Sequence, residues 1–242
     1  MRYFLDEHEA GSPLNALAMD AAPQPLDLPI TWPASGTMFY TSVDGQRGLQ
    51  SLEVGSEGRA SVALQGTKLR TALQGSTTGT IELVVEVFNV HMSNSRLLHI
   101  GTSDESGRFT LSAGTNDELN FYWQDYDASL DDSELAGHWP LPLAGSGRCV
   151  LHLVLDTDEP TPLDRVRLYR DGVLFNGNDG VLPSLGQQVS FADDHHFVLF
   201  NREIGARTFE GALYYAAVYS GALSAADVAN NAALLLMNDD PP

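Results

Sequence analysis

The sequence predicts an all-β protein, a two-sheet antiparallel sandwich closed by a short C-terminal helix. Segments of alternating side-chain character recur, and turn signals separate them about every ten residues, which is typical of a sandwich. The closing segment from Phe209 to Tyr219 is apolar on both of its faces, so it needs a covering layer on each side. Helical periodicity is confined to two short segments, which excludes the alternating strands and helices of a parallel sheet.

The N-terminal third predicts short and irregular elements. Arg2 to Leu5 is the first strand, and an acidic turn and a loop follow it. Prolines crowd residues 23–33, which excludes a helix there and favours edge strands. Further short strands are expected at Leu49 to Leu52 and Ser61 to Leu64, and a helix of one or two turns at Thr67 to Gln74.

The middle of the chain predicts an antiparallel meander. A long strand begins at Thr80, because apolar and polar side chains alternate there. Three strands follow at short spacing: Arg96 to Thr102, Arg108 to Ala113 and Leu119 to Trp123. The acidic stretch from Asp125 to Gly147 interrupts this rhythm, and we expect it to form a long excursion on one rim of the sandwich.

Regular pairing resumes after this excursion. Cys149 to Leu155 and Arg165 to Tyr169 are strands, and Asp171-Gly172 predicts a two-residue hairpin turn after the second of them. His196 to Asn201 is a further strand. The pair His195-His196 follows two aspartates, so we expect a solvated strand start rather than a metal site.

The closing strand leads into a predicted helix. Ser224 is placed to cap it and Asp227 lies in its first turn, where the helix dipole favours an anion. Its apolar residues recur at helical spacing at Val228, Ala232, Leu235 and Leu236. With no internal boundary in composition, residues 1–236 are predicted to form one domain and residues 237–242 an acidic, proline-terminated tail.

Composition limits the partners and the chemistry. The formal net charge of -19 and the pI near 4.4 exclude nucleic acid and anionic membranes as partners, since their phosphates would repel the chain. The longest apolar runs are too short to span a bilayer, and no signal peptide is visible. Cys149, the single cysteine, lies in an apolar run and is predicted to be a buried hydrophobe rather than a reactive thiol.

Several motifs follow one another in a recognisable order. They are Thr80-Ile-Glu-Leu with Glu86-Val87, Leu97-Leu-His-Ile-Gly101, His152-Leu-Val-Leu-Asp156, Arg167 to Val173, and Phe209 to Val228. The series resembles the bacterial form of the laminin-G-like, concanavalin A-like jelly roll, over about Arg2 to Ala233. The resemblance implies two curved antiparallel sheets whose rim loops, in relatives, bind glycans or protein partners. It also implies an extracellular or periplasmic location and excision from a larger polypeptide.

The resemblance further implies a calcium site beside the first strand. In relatives this site lies between the loop after that strand, here carrying Asp6 and Asp20, and the closing strand. Asp20 is the residue expected to bind the metal. Many relatives contribute an aspartate from the closing strand where this sequence has Tyr214.

A carbohydrate site is predicted where the meander ends. Sugar binding needs a flat aromatic ring for stacking and neighbouring polar groups for the hydroxyls. Trp123, Asp125, Tyr126 and Asp127 offer both within one short stretch, and Trp139 is placed to close over them. The competing interpretation is that Trp123 faces the core and that residues 125–134 form a solvated loop.

Catalysis has weaker support. Concanavalin A-like glycosidases carry acids at three alternate positions of one strand, but here Val84 stands between Glu82 and Glu86. Those two carboxylates lie roughly 13 Å apart by strand rise, too far for a retaining pair. We therefore expect a non-catalytic recognition module that binds glycan or a protein through one rim. A structural or adhesive spacer and a glycan-cleaving enzyme are the alternatives.

Overall fold

A computed structural model of the chain describes residues 1–8, 10–13, 16–31, 37–43, 45–92, 94–102, 109–123 and 134–237. The strands in this part of the chain are β1 (Arg2–Tyr3), β2 (Leu17–Ala18), β3 (Leu28–Thr31), β4 (Met38–Val43), β5 (Gln46–Ser51), β6 (Arg59–Ala63), β7 (Thr78–Asn89), β8 (Ser95–Gly101), β9 (Phe109–Gly114), β10 (Glu118–Trp123), β11 (Glu134–Trp139), β12 (Cys149–Asp156), β13 (Val166–Arg170), β14 (Val173–Phe175), β15 (His196–Leu199) and β16 (Glu210–Tyr219). The helices are α1 (Lys68–Leu73) and α2 (Ala225–Met237). Among the described residues, no helix is long and apolar enough to cross a membrane.

The strands form two antiparallel sheets, which confirms the predicted jelly-roll sandwich. The first sheet has the order β14-β13-β12-β7-β16-β5-β4, with β1 also paired to β16. The second sheet has the order β11-β10-β9-β8-β15-β6-β3-β2. The main hydrophobic core lies between them and includes Tyr3, Leu83, Phe109, Phe121, Phe197 and Leu213.

Strand β16 is buried on both faces as predicted, but its alternation differs from the expected one. A bulge shifts the register against β7 between Leu213 and Tyr215. Leu213, Ala216 and Val218 therefore belong to the core between the sheets, whereas Tyr214 and Tyr215 belong to a second cluster on the outer face. Strict alternation would have placed Leu213 and Tyr215 on one face, so the extra residue of the bulge explains the correction.

Helix α2 covers this outer face. The predicted cap is confirmed, because the Asp227 backbone N–H donates to Ser224 Oγ at 3.2 Å and the Ser224 N–H donates to Asp227 Oδ2 at 3.3 Å. The helix residues buried against the sheet are Val228, Ala232 and Leu235. Leu236 was expected with them but is 38% exposed.

Other departures concern the short strands, one edge strand and one hairpin. Strands β2 and β4 were not predicted, and β1 ends at Tyr3 rather than Leu5. The excursion predicted for residues 125–147 contains an edge strand, β11, that pairs with β10. Because β1 and β2 are two residues long, their pairing depends on distant partners rather than on local pattern, whereas β4 pairs with the next strand, β5.

The side-chain predictions for Cys149 and the histidine pair have different outcomes. Cys149 is 1% exposed, and burial raises the pKa of its thiol to about 12, which confirms a buried hydrophobe. His195 is 2% exposed, so the expectation of a solvated strand start is wrong for that residue. Its ring packs edge-on against Phe191.

A buried polar cluster fastens α2 to the first sheet. Glu82 Oε2 accepts hydrogen bonds from His152 Nε2 at 2.7 Å and from Asn231 Nδ2 of the helix at 2.8 Å. Glu82 Oε1 accepts from the Tyr219 hydroxyl at 2.9 Å. Glu82 is only 1% exposed, so it does not line an open cleft as the enzymatic alternative requires.

The Glu82 cluster predicts a pH-dependent contribution to stability. Burial alone would raise the pKa of Glu82, but the hydrogen bond and charge of His152, with Asn231, hold it below its ordinary value. A lowered carboxyl pKa stabilises the fold above the pKa of the unfolded chain, about 4.3, and this contribution disappears as the pH falls further.

We expect Glu82→Gln to lower the free energy of unfolding by about 3 kcal/mol at pH 7, since it weakens the hydrogen bonds that the buried carboxylate accepts. The difference from the wild type should shrink below about pH 4. Urea unfolding at pH 7 and at pH 3.5 measures both quantities. The exposed Glu53→Gln is the control, and an equal loss in the two variants would contradict this role.

Candidate functional site

The outer face of the second sheet is polar yet largely buried. Phe109, Leu111 and Phe121 point into the core, so the alternate residues of β9 and β10 point outward. The outward residues on β8, β9 and β10 that are at most 6% exposed are Arg96, His99, Thr110, Ser112 and Asn120. Unlike the first sheet, this face has no apolar helix among the described residues packed on it.

Three of these residues form one row across three strands, which we call the polar row. Arg96 of β8 pairs with Ser112 of β9, and Ser112 pairs with Asn120 of β10. Within the described residues, Arg96 Nε and Nη1, Ser112 Oγ and Asn120 Oδ1 are buried without a hydrogen-bond partner. Each such atom costs about 1–3 kcal/mol, so a row of them is an exception that calls for an explanation.

Arg96 is part of a basic cluster with Arg202 and Arg207. Burial lowers the pKa of the Arg96 guanidinium to about 10, and the positive charges of the other two arginines act in the same direction. The Arg96 guanidinium lies 5.4 Å from the centre of the Tyr122 ring. Asn94 Nδ2 donates to the Tyr122 hydroxyl at 3.1 Å, which fixes the ring beside the cation.

The segment after β15 holds the other two arginines through a buried amide. Asn201 Oδ1 accepts from the backbone N–H groups of Arg202 at 3.0 Å and Arg207 at 2.8 Å. Asn201 Nδ2 donates to the carbonyls of Ser56 at 2.9 Å and Gly58 at 3.0 Å. The Arg96 N–H donates to the Arg207 carbonyl at 2.8 Å, so β8 and this segment are fixed to each other.

The opposite end of the polar row leads to a histidine between two carboxylates. Asn120 Nδ2 donates to Glu118 Oε1 at 3.2 Å. His138 Nε2 lies 3.2 Å from Glu118 Oε2, and its Nδ1 contacts Asp179. The hydrogen bond to Asp179, followed by that to Glu118, outweighs burial and raises the pKa of His138 above its ordinary value.

This arrangement suits a small ligand that carries an anionic group. A guanidinium offers paired donors to a carboxylate, a serine hydroxyl donates or accepts, and an amide oxygen accepts. Tyr122, His138, Arg202 and Arg207 border the row and are partly exposed, so solvent reaches its edges.

Two of the predicted carbohydrate residues, Trp123 and Trp139, lie in the core. Trp123 and Trp139 are 2% and 1% exposed and belong to the core, so neither ring offers an open face for stacking. The Trp139 ring fits because Gly137 has no side chain, and a Cβ there would collide with it. Asp125, Tyr126 and Asp127 lie outside the described residues. The ligand-binding role of this stretch stays a prediction.

Asp20, predicted to bind calcium, has a different environment. Its carboxylate accepts from the backbone N–H groups of Arg2 at 2.9 Å and of Ala22 and Leu26 at 3.0 Å. Lys68 Nζ lies 2.5 Å from Asp20 Oδ2, so an ammonium group already neutralises the carboxylate. The described residues contain no group of three or more His, Cys, Asp or Glu side chains that could hold a metal. The calcium role of Asp20 stays a prediction.

Sequence reasoning missed the polar row because alternating polar residues on a strand normally face water. The available signal was the type of residue. Adjacent meander strands carry serine, threonine and asparagine on one face, where lysine and glutamate are usual for a solvated surface.

The fold is a two-sheet antiparallel jelly-roll sandwich, an architecture also found in a carbohydrate-binding module. Among solved structures, a CBM40 module of the Ruminococcus gnavus IT-sialidase bound to α2,3-sialyllactose is similar with a TM-score of 0.53 and 15% identity, covering 74% of this chain and 95% of that one. The Trypanosoma rangeli sialidase with the inhibitor DANA has a TM-score of 0.56 and 15% identity, covering 96% of this chain and 32% of that one. No family model and no curated protein matches the sequence.

Two buried arginines allow a direct test of the cost of the unpartnered Nε and Nη1 atoms of Arg96. Arg165 is 9% exposed, and its guanidinium donates to the carbonyls of Glu159, Pro183 and Pro160. We expect Arg165→Met to lower the free energy of unfolding by about 2 kcal/mol, because it leaves those carbonyls unpaired. Arg96→Met should instead leave it unchanged or raise it by about 1 kcal/mol. Chemical denaturation of both variants measures this contrast, and a large loss in Arg96→Met would contradict it.

Proposed function

We propose that this chain is a glycan-binding module that takes an acidic sugar on the outer face of the second sheet. The observation that carries the proposal is the polar row, whose buried and unpartnered atoms belong to Arg96, Ser112 and Asn120. A protein accepts the cost of such atoms at sites where a ligand supplies the missing partners. The carboxylate of the sugar binds Arg96, and its hydroxyl groups bind Ser112 and Asn120.

The charge distribution favours a carboxylate at this place. The chain is strongly acidic overall, yet three of its 13 lysine and arginine residues lie near one another: Arg96, Arg202 and Arg207. Charges beyond about 8 Å are screened at physiological ionic strength, so the local cluster outweighs the distant acidic surface. A bound carboxylate would also restore the Arg96 guanidinium to a favourable environment, because its desolvated charge would gain a counterion.

The structural comparisons are consistent with this proposal but rest on fold alone. The R. gnavus module is bound to α2,3-sialyllactose, whose sialic acid carries a carboxylate. Fold similarity at 15% identity does not transfer a ligand, so the argument depends on the residues of this chain. By the same analogy we propose that the chain is a non-catalytic part of a larger exported protein.

Calorimetric titration of three saccharides tests the proposal. We expect α2,3-sialyllactose or trigalacturonate to bind and neutral lactose not to bind, because only the first two carry a carboxylate. Raising the salt concentration should weaken binding, since the contact is between charges.

Two variants locate the site. Arg96→Met should reduce the affinity for the bound acidic saccharide more than tenfold, as loss of a charge-assisted hydrogen bond does. Arg2→Gln removes an equal charge from an exposed position on β1 and should have no effect. Equal binding of lactose, or full binding by Arg96→Met, would overturn the proposal.

A further inference from the structure

The two hydrogen-bonding groups of the Asn120 amide have unequal environments. Its Nδ2 donates to Glu118 Oε1, whereas its Oδ1 is buried with no partner among the described residues. An ionised carboxylate only accepts hydrogen bonds, so Glu118 determines which end of the amide faces it. The amide oxygen is therefore the end of the Asn120 side chain that is left to accept a hydrogen bond from a ligand.

We propose that Asn120 is a specificity-determining residue that accepts a hydrogen bond from a hydroxyl or N–H group of the acidic sugar, and that Glu118 and His138 are positioning residues that hold its amide in this orientation. This inference rests on the proposed function. Arg96 and Asn120 lie on strands two apart, about 10 Å between their Cα atoms. The site thus selects a ligand that carries both an anionic group and a hydrogen-bond donor.

Glu118 is itself held by His138. The His138 ring lies between Glu118 of β10 and Asp179 of the segment after β14, and these two carboxylates are the titratable groups that act on it. The Asn178 side chain accepts from the His138 backbone N–H at 3.0 Å, which fixes the strand at this point. A protonated imidazole donates from both nitrogens, so it bridges the two carboxylates.

Deprotonation of His138 would release this arrangement. A neutral imidazole keeps one N–H, so one of the two carboxylates would then face an acceptor nitrogen. Because the bridge raises the pKa of His138, the bridged state is complete below the ordinary value, about 6.5, and is lost as the pH rises through the raised value. Affinity for the acidic sugar should fall over that same interval.

A substitution at Gly114 would move Glu118 without changing a charge. A Cβ at Gly114 would collide with the Glu118 side chain, which lies across it. The backbone of Gly114 is not left-handed, so alanine there introduces no backbone strain. Gly114→Ala should therefore displace Glu118 while leaving the fold intact.

The binding experiment uses α2,3-sialyllactose and trigalacturonate as probes. We expect Asn120→Ala to lower the affinity for the bound probe about tenfold, which is what one hydrogen bond to a buried group contributes. Glu118→Ala and Gly114→Ala should each lower it severalfold and flatten its pH profile. Glu118→Gln should bind with most of the wild-type affinity but without its pH dependence. The control Glu53→Ala should change neither the affinity nor its pH dependence. Full affinity in Asn120→Ala, or an unaltered pH profile in Gly114→Ala, would overturn the inference.

Nuclear magnetic resonance of the ligand-free protein tests the positioning separately. The side-chain amide signal of Asn120 should shift with pH, with a midpoint above 6.5, and Glu118→Gln should abolish this titration. If the Asn120 amide signal does not change as His138 titrates, the positioning role of Glu118 and His138 is overturned, whatever the binding result. If neither probe binds the wild type while the amide still titrates, the proposed function fails, and with it the ligand role of Asn120.

Discussion

Burial of strand β16 on both faces is the constraint on which the rest of the structure depends. The strand pairs with β1, β5 and β7 in the first sheet. Its inner side chains complete the core between the sheets, and its outer side chains need a second cover, which α2 supplies. Glu82 is buried under that cover and keeps its charge only because His152, Asn231 and Tyr219 surround it. One face of the sandwich is thereby closed.

The outer face of the second sheet differs from that of the first, because polar rather than apolar side chains are buried on it. Polar side chains lie where the first sheet has apolar ones, and several of their atoms lack partners among the described residues. In the first sheet the polar atoms of Glu82 are matched by donors within the chain. The first sheet also has single unpartnered buried atoms, such as His152 Nδ1. The physical basis for placing ligand binding on the second sheet is that such atoms lie together there in one row, where one ligand can supply several missing partners.

The sequence alone was sufficient to predict the elements whose signals are local. The closing helix, the long strand β7 and the Asp171-Gly172 hairpin carry their own periodicity, caps or left-handed turn residues, and Asp171 and Gly172 have φ angles of 52° and 80°. Strand β2 is only two residues long and has no such signal. Strand β4 pairs with the next strand, β5, and the sequence between them is Asp44-Gly45, a hairpin signal that was missed. The candidate site was missed for a different reason: a strand pattern shows which side chains share a face, but not whether that face is covered.

The bulge in β16 shows that chain length encodes the fold as firmly as residue type does. Tyr214 and Tyr215 both face outward, so one residue more than regular alternation needs lies between the inward-facing Leu213 and Ala216. If β16 kept both tyrosines without the bulge, Ala216 and Val218 would turn outward, and Tyr219, whose hydroxyl donates to Glu82, would turn into the apolar core. Deletion of one of the two tyrosines would instead restore regular alternation with those faces unchanged. Homologous chains of this architecture should therefore lose the bulge only together with its extra residue.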